Sequence, residues 1–438
     1  MKPRLMLVGV LAVLGLLSTA GIASAQKSFD WRRFAGSTVN VALTKIAWSD
    51  LIASSVPDFE KLTGIKVRLE ILAEEQHRQK LAVAFTAARG DIDVFASLRH
   101  HEGVKYYLAK WYEPLKKYVD NPELTSPQFD FGDFAAHAVE DASVFGELVG
   151  IPMYFDVEIL MYRKDLFEKA GLKVPNTLSE LEETAKMLTN REKGQYGICL
   201  RGKGPATTSI FSGFLHSMGG SWADPNRNPA LTTPAAIRAF EFYGRLTRDY
   251  GPPGGVGYGW FQCLSLFGAG KVAMWVDTNI FSAPLLDPAK SQVADKVGFA
   301  MLPEGPGGRM PAYGGWYLSI SSKSQNRGPA WYFIQWALSK ESALRAQLKG
   351  IIPTSRWSAW RAEEFRRSDK HPDFTKATLD TLNLKGIPSY GPPWVAVGEI
   401  RDAIGEVVVT AIEGGDVKAA AEKAVEQIRV IREKTEKF

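Results

Sequence analysis

Apolar and polar positions alternate with period two at Val39, Val41 and Leu43, and again at Ile65, Val67, Leu69 and Ile71. Each run predicts a half-buried strand. Between them Ile52, Val56, Phe59 and Leu62 repeat at helical spacing, and Gly64 closes that helix. Trp48 is expected in the loop before it, with Asp50 as its cap. A second helix follows from about 76 to 88, burying Leu81, Ala84, Phe85 and Ala88, and Gly90–Phe95 enters a third strand. Strand, helix, strand, helix, strand is the order of a parallel α/β sheet. In such sheets ligands meet the loops at the carboxyl ends of the strands. Here those loops carry Trp48, then 73–76 with Gln76, then Arg99-His100-His101.

The pattern resets at Gly150-Ile151-Pro152. Val157, Ile159 and Met161 predict a strand, Lys164–Ala170 a short helix stopped by Gly171, and Thr177 with Glu180 a capping box for a helix over 179–188. Further on, 197–200 reads as a strand and Thr233-Pro234 as N-cap and first residue of a helix. Strands are expected over 271–277, 297–303 and 316–320, a helix over 329–338, and a charged helix around 417–434 at the end.

Composition adds an address. Lys2 and Arg4, an apolar run from Leu5 to Leu17, and Ala23-Ser24-Ala25 make a secretory leader over 1–25, with a mature start at Gln26. No cysteine lies near that cleavage site, so no lipid anchor is expected, and no later stretch is apolar enough to span a membrane. The net charge is +5, of which the leader holds two, too little for a nucleic-acid partner. Cys199 and Cys263 are the only cysteines; an exported chain permits their pairing, but two isolated buried thiols fit the sequence equally well.

Longer motifs carry a resemblance. Leu160-x-Tyr162-x-Lys164-Asp165-Leu166-Phe167-Glu168-Lys169-Ala170-Gly171-Leu172, followed by Pro175-x-Thr177-x-x-Glu180-Leu181, resembles the signature of the bacterial extracellular solute-binding proteins, family 1, the maltose-binding-protein-like receptors of ABC importers. Arg163 stands where that pattern usually has Asn. Phe59–Val67, Trp111–Leu115, Phe267–Trp275 and Ile352–Arg356 fit further family segments. The resemblance implies an α/β, two-lobed periplasmic-binding-protein fold with a ligand cleft between lobes joined by hinge crossovers. One lobe would take 26–150 and 304–340, the other 151–303 and 341–438. It also implies a periplasmic monomer that closes on a carbohydrate or polyol and delivers it to an ABC permease in the inner membrane.

A neutral polyhydroxylated ligand needs aromatic faces against its C–H surface and polar groups for its hydroxyls. The candidates are Trp48, Gln76, His100, Tyr154, Asp156, Trp222, Trp275, Asp277, Trp316 and Arg356. Trp222 and Trp316 each adjoin a Gly-Gly pair, which lets backbone approach a ligand. Trp331 and Trp336 sit on a helix and read as core. Asp156 and Glu158 share a strand face, Asp156 being the stronger candidate. Arg356, Arg78 and His100 keep an anionic ligand such as a glycerol phosphate open. His100-His101-Glu102 lacks metal-ligand spacing, and no cofactor is implied. No nucleophile elbow, H-E-x-x-H or phosphate loop is present; a periplasmic glycoside-processing enzyme is the rival from another class.

Overall fold

The computed structural model describes residues 28–87, 90–349 and 353–436. The expected leader, Ala88 and Ile352 lie outside them.

Two five-stranded sheets organise the chain. In the first, strands Lys66–Leu72, Thr38–Thr44 and Val94–Leu98 run parallel. Trp316–Ile320 joins them antiparallel, pairing Trp316 with Leu98, and Ile151–Pro152 pairs on its far side. In the second, the order is Val297–Met301, Asp156–Arg163, Val272–Thr278, Tyr196–Cys199, with Tyr313–Gly314 paired to the start of Asp156–Arg163. The chain changes sheet between Pro152 and Asp156, so Ile151, expected to open the second lobe, pairs within the first sheet. Helix Lys340–Leu348 also stays with the first sheet: Ala346 joins its apolar cluster, and the Arg345 guanidinium donates to Ser55 Oγ at 2.8 Å.

Most local expectations hold to within a few residues. Helix Leu178–Leu188 carries the capping box, Glu180 N–H donating to Thr177 Oγ1 while the Glu180 carboxylate accepts from the Thr177 N–H. Thr233 caps helix Pro234–Tyr250. The first helix, Ala47–Thr63, starts earlier than expected, which moves Trp48 from a loop into its first turn. Asp50 does not cap this helix, but pairs with Lys45 at 2.6 Å. Arg163, the departure from the family pattern, clasps Asp165 through two hydrogen bonds and donates to Gly270 O at 3.2 Å, tying the long strand to the turn before Val272. Cys199 and Cys263 form a disulfide, Cα–Cα 5.6 Å, fastening a strand end to helix Trp260–Gly268.

Candidate functional site

Strand direction places the site. In the first sheet the carboxyl ends of the parallel strands and the start of Trp316–Ile320 form one edge. In the second, the ends of Tyr196–Cys199, Val272–Thr278 and Val297–Met301 form an edge with the start of Asp156–Arg163. The two edges face one another across the crossover at 153–156.

Contacts between the sheets' loops define the cleft. The turn after Val94–Leu98 is a short π-helical segment, Arg99–Gly103. Its His100 packs edge-on against Tyr390, ring centroids 5.3 Å apart. Its neighbour His101 lies 2.7 Å (Nε2) from Nη1 of Arg401, on helix Val397–Glu413. Gly314 fits between them: a Cβ there would come within 2.5 Å of the Tyr390 ring and 3.3 Å of His100 Nδ1.

Titratable groups crowd this gap. Asp156 keeps one buried oxygen, Oδ1, without a hydrogen-bond partner among the described residues. Burial, then the neighbouring Asp141, push its carboxyl well above the usual range, with Arg201 opposing. Asp141 accepts from Gly315 N–H at 3.0 Å through one oxygen, while its other oxygen is unpartnered. Burial raises it to about 7, partly offset by Arg99. His100 Nδ1 and the Tyr390 hydroxyl are likewise buried without partners. Burial, then Arg401, Arg78, Arg201 and Arg99, hold His100 well below the ordinary imidazole value.

Two guanidinium–carboxylate pairs frame the gap. Asp277, fully buried, accepts Arg201 through both oxygens, with 2.8 Å from Nε, and also accepts Trp275 Nε1 at 3.1 Å. Arg78 donates to Glu102 at 3.0 Å and lies over the Trp316 ring, 5.7 Å from its centroid.

The sequence candidates divide accordingly. His100, Asp156, Asp277 and Trp316 stand at the gap, and the Tyr154 phenol feels the Asp156 charge. Gln76 is exposed on helix Glu74–Thr86. Trp48 is buried in the first sheet's cluster with no partner for its Nε1. Trp222 lies in the second sheet's core and donates to Ser212 Oγ at 3.3 Å. Trp275 is fully buried, its ring stacked on Phe281. Arg356 is a brace inside the first lobe, donating to Leu338 O and Asp130 O and lying 3.8 Å from the Phe134 ring centroid. Asp141, Arg201, Tyr390 and Arg401 were not singled out from sequence. They lie on a helix, on segments following strands or long loops, and on a distant helix, so no local period marks them.

Comparisons with known proteins bear on the fold and the family. A mannitol-binding protein of Pseudomonas aeruginosa is 29% identical over 366 residues, covering 80% of this chain and 81% of its own. A solute-binding protein of Agrobacterium vitis, solved with bound D-mannitol, is 30% identical with a TM-score of 0.77, covering 91% of this chain and 99% of that one. One from Agrobacterium radiobacter, in complex with ribitol, is 26% identical with a TM-score of 0.81 over the same shares. The family model described as bacterial extracellular solute-binding protein matches residues 42–344. On that match, and on two facing sheets with a polar gap between them, the chain belongs to the bacterial extracellular solute-binding proteins.

Proposed function

We propose that this protein is the periplasmic receptor of an ABC importer, that it holds an acyclic polyol or small sugar between its two lobes, and that it delivers the ligand unchanged to a membrane permease. Residues 1–25 are its cleaved leader. The lobes divide at the sheet changes: the first gathers about 28–152 and 316–348, the second about 156–314 and 357–436.

One observation carries the reading. Asp156 Oδ1, Asp141 Oδ1, His100 Nδ1 and the Tyr390 hydroxyl are buried polar atoms from both lobes, none with a partner among the described residues. A hydroxyl group both donates and accepts, so a chain of hydroxyls satisfies carboxyl, imidazole and phenol together. Trp316 opens the strand next to Gly315, its ring lying under the Arg78 guanidinium. An anion fits less well, since Arg201 and Arg78 are already paired, Arg401 directs its donors to Pro205, Thr208, Ser209 and His101, and two further carboxyls face the gap. The bound ribitol and mannitol of the relatives point to the same ligand class.

The test is a thermal-shift and calorimetric screen with D-mannitol, ribitol, erythritol, maltose and glycerol 3-phosphate. A ligand at a hundred times its Kd adds roughly 2.7 kcal/mol to the native state. An alditol is expected to raise the midpoint and to be recovered intact. A response to glycerol 3-phosphate alone would move the assignment to the anionic class. Consumption of the ligand would make the protein an enzyme.

A further inference from the structure

Arg401 is 4% exposed and forms no ion pair among the described residues. Its Nε and Nη2 donate to Pro205 O, Thr208 Oγ1 and Ser209 Oγ, all in the second lobe. Its Nη1 alone reaches across the gap, 2.7 Å from Nε2 and 3.0 Å from Nδ1 of His101. A guanidinium has no acceptor. The imidazole must therefore present a lone pair, so this bond exists only with His101 unprotonated.

We propose that His101 and Arg401 are positioning residues for ligand capture: an interlobe latch that closes only when His101 gives up its proton, making affinity fall as pH drops. The proposal rests on the receptor reading above.

The surroundings favour this in every direction. On its own turn His101 has Arg99, His100 and Glu102; helix Glu74–Thr86 adds Glu74 and Arg78; the segment after Tyr196–Cys199 adds Arg201; helix Val397–Glu413 adds Arg401 and Asp402. Two of the three carboxylates are offset, Glu102 being bonded to Arg78, Ser97 and the Leu98 N–H and Glu74 lying by Arg78, while Asp402 is exposed to solvent. Tyr390, on the 384–396 segment, faces His100. Burial, then Arg401 and Arg78, hold His101 well below the ordinary value in this closed arrangement. With the lobes apart an imidazole titrates near 6.5. Closing below that pH must expel a proton, and affinity falls by up to tenfold per pH unit for one such group. Asp141 and Asp156, whose values are raised, act in the opposite sense. The wild-type slope is therefore a sum, and the comparison with variants isolates the latch.

The experiment is calorimetric titration with D-mannitol at pH 7.5 and 5.5, on wild type, His101→Gln and His101→Asn. The quantity read is the ratio of Kd at pH 5.5 to Kd at pH 7.5, whatever the absolute affinities. One group titrating near 6.5 makes that ratio about tenfold larger. The wild-type ratio is expected to exceed that of each variant by about this factor, and if one variant does not fold the other carries the test. Equal ratios in wild type and a folded variant would overturn the latch. If D-mannitol does not bind wild type at pH 7.5, the ligand assignment has failed, not the latch. X-ray scattering of the unliganded protein then decides: a radius of gyration larger at pH 5.5 than at 7.5 supports the latch, and an unchanged one overturns it.

Discussion

Asp141 shows how a site side chain draws on the stability of its fold. Its carboxyl is 2% exposed and titrates at about 7, whereas an unfolded aspartate titrates near 4. Between those values the native state binds more protons than the unfolded chain, so this group's contribution to stability declines as pH rises through that window. Asp141→Asn keeps an acceptor for the Gly315 N–H and removes the charge. It should raise the thermal midpoint at pH 8, by about 1–3 kcal/mol of stability, and leave it nearly unchanged at pH 4. Asp156→Ala should weaken polyol binding by roughly 5- to 150-fold, the cost of about 1–3 kcal/mol for unpaired hydroxyls, measurable by calorimetry. At this scale the sequence was read through residue type and position at strand ends. That nominates Asp156 and Asp277, because a strand end has a fixed direction. It also nominated tryptophans by their glycine neighbours, yet Trp222 packs into the core through Phe211, at 5.9 Å between centroids. Tyr390 and Arg401 gain their meaning from the packing of one lobe on the other, which no local pattern encodes.

Among the elements, the caps and strands were legible because their signals are local. Thr177 and Glu180 bond each other's backbone within one turn, and Thr177→Ala should cost about 1 kcal/mol in denaturant unfolding. The disulfide was not legible, since sequence gives no distance between a strand end and a helix 64 residues away. In the chain-entropy account a loop of that length is worth on the order of 4 kcal/mol. Cys199→Ser with Cys263→Ser should accordingly unfold at lower denaturant than wild type, and a reducing agent should affect only the latter. An unchanged midpoint in the double variant would show that packing around Phe267 and Trp275 suffices. Gly197 has a separate reason to be glycine: a Cβ there would lie 1.9 Å from Ala185 O, where helix Leu178–Leu188 crosses the strand.

For the whole molecule, closure depends on how closely backbone can approach at Gly314. Gly314→Val should push on His100 of the other lobe, 3.3 Å from a Cβ there, as well as on Tyr390 of its own, enlarging the radius of gyration of the mannitol-saturated protein and weakening binding. The parallel α/β character of the first half was readable from alternating periods; in the second sheet only Tyr196–Cys199 and Val272–Thr278 run parallel. The membership of Ile151–Pro152 and Lys340–Leu348 in the first sheet's half was not, because two residues of strand and one helix carry no mark of which sheet they join. The same holds for Trp316–Ile320: the strand was expected after Gly314-Gly315, its partners were not.

That strand has a consequence for how the protein is made. It is not an edge: it lies between Val94–Leu98 and Ile151–Pro152. A chain emerging from its amino end has therefore synthesised the first three strands long before the strand that joins them to Ile151–Pro152 exists. Until residue 320 is out, one edge of Val94–Leu98, four of whose five residues are apolar, stays unpaired, and non-local pairing of this kind forms slowly. The nascent protein is thus kept from closing its first half early. Delayed folding of this kind suits a polypeptide that must cross a membrane as an extended thread and fold only on arrival.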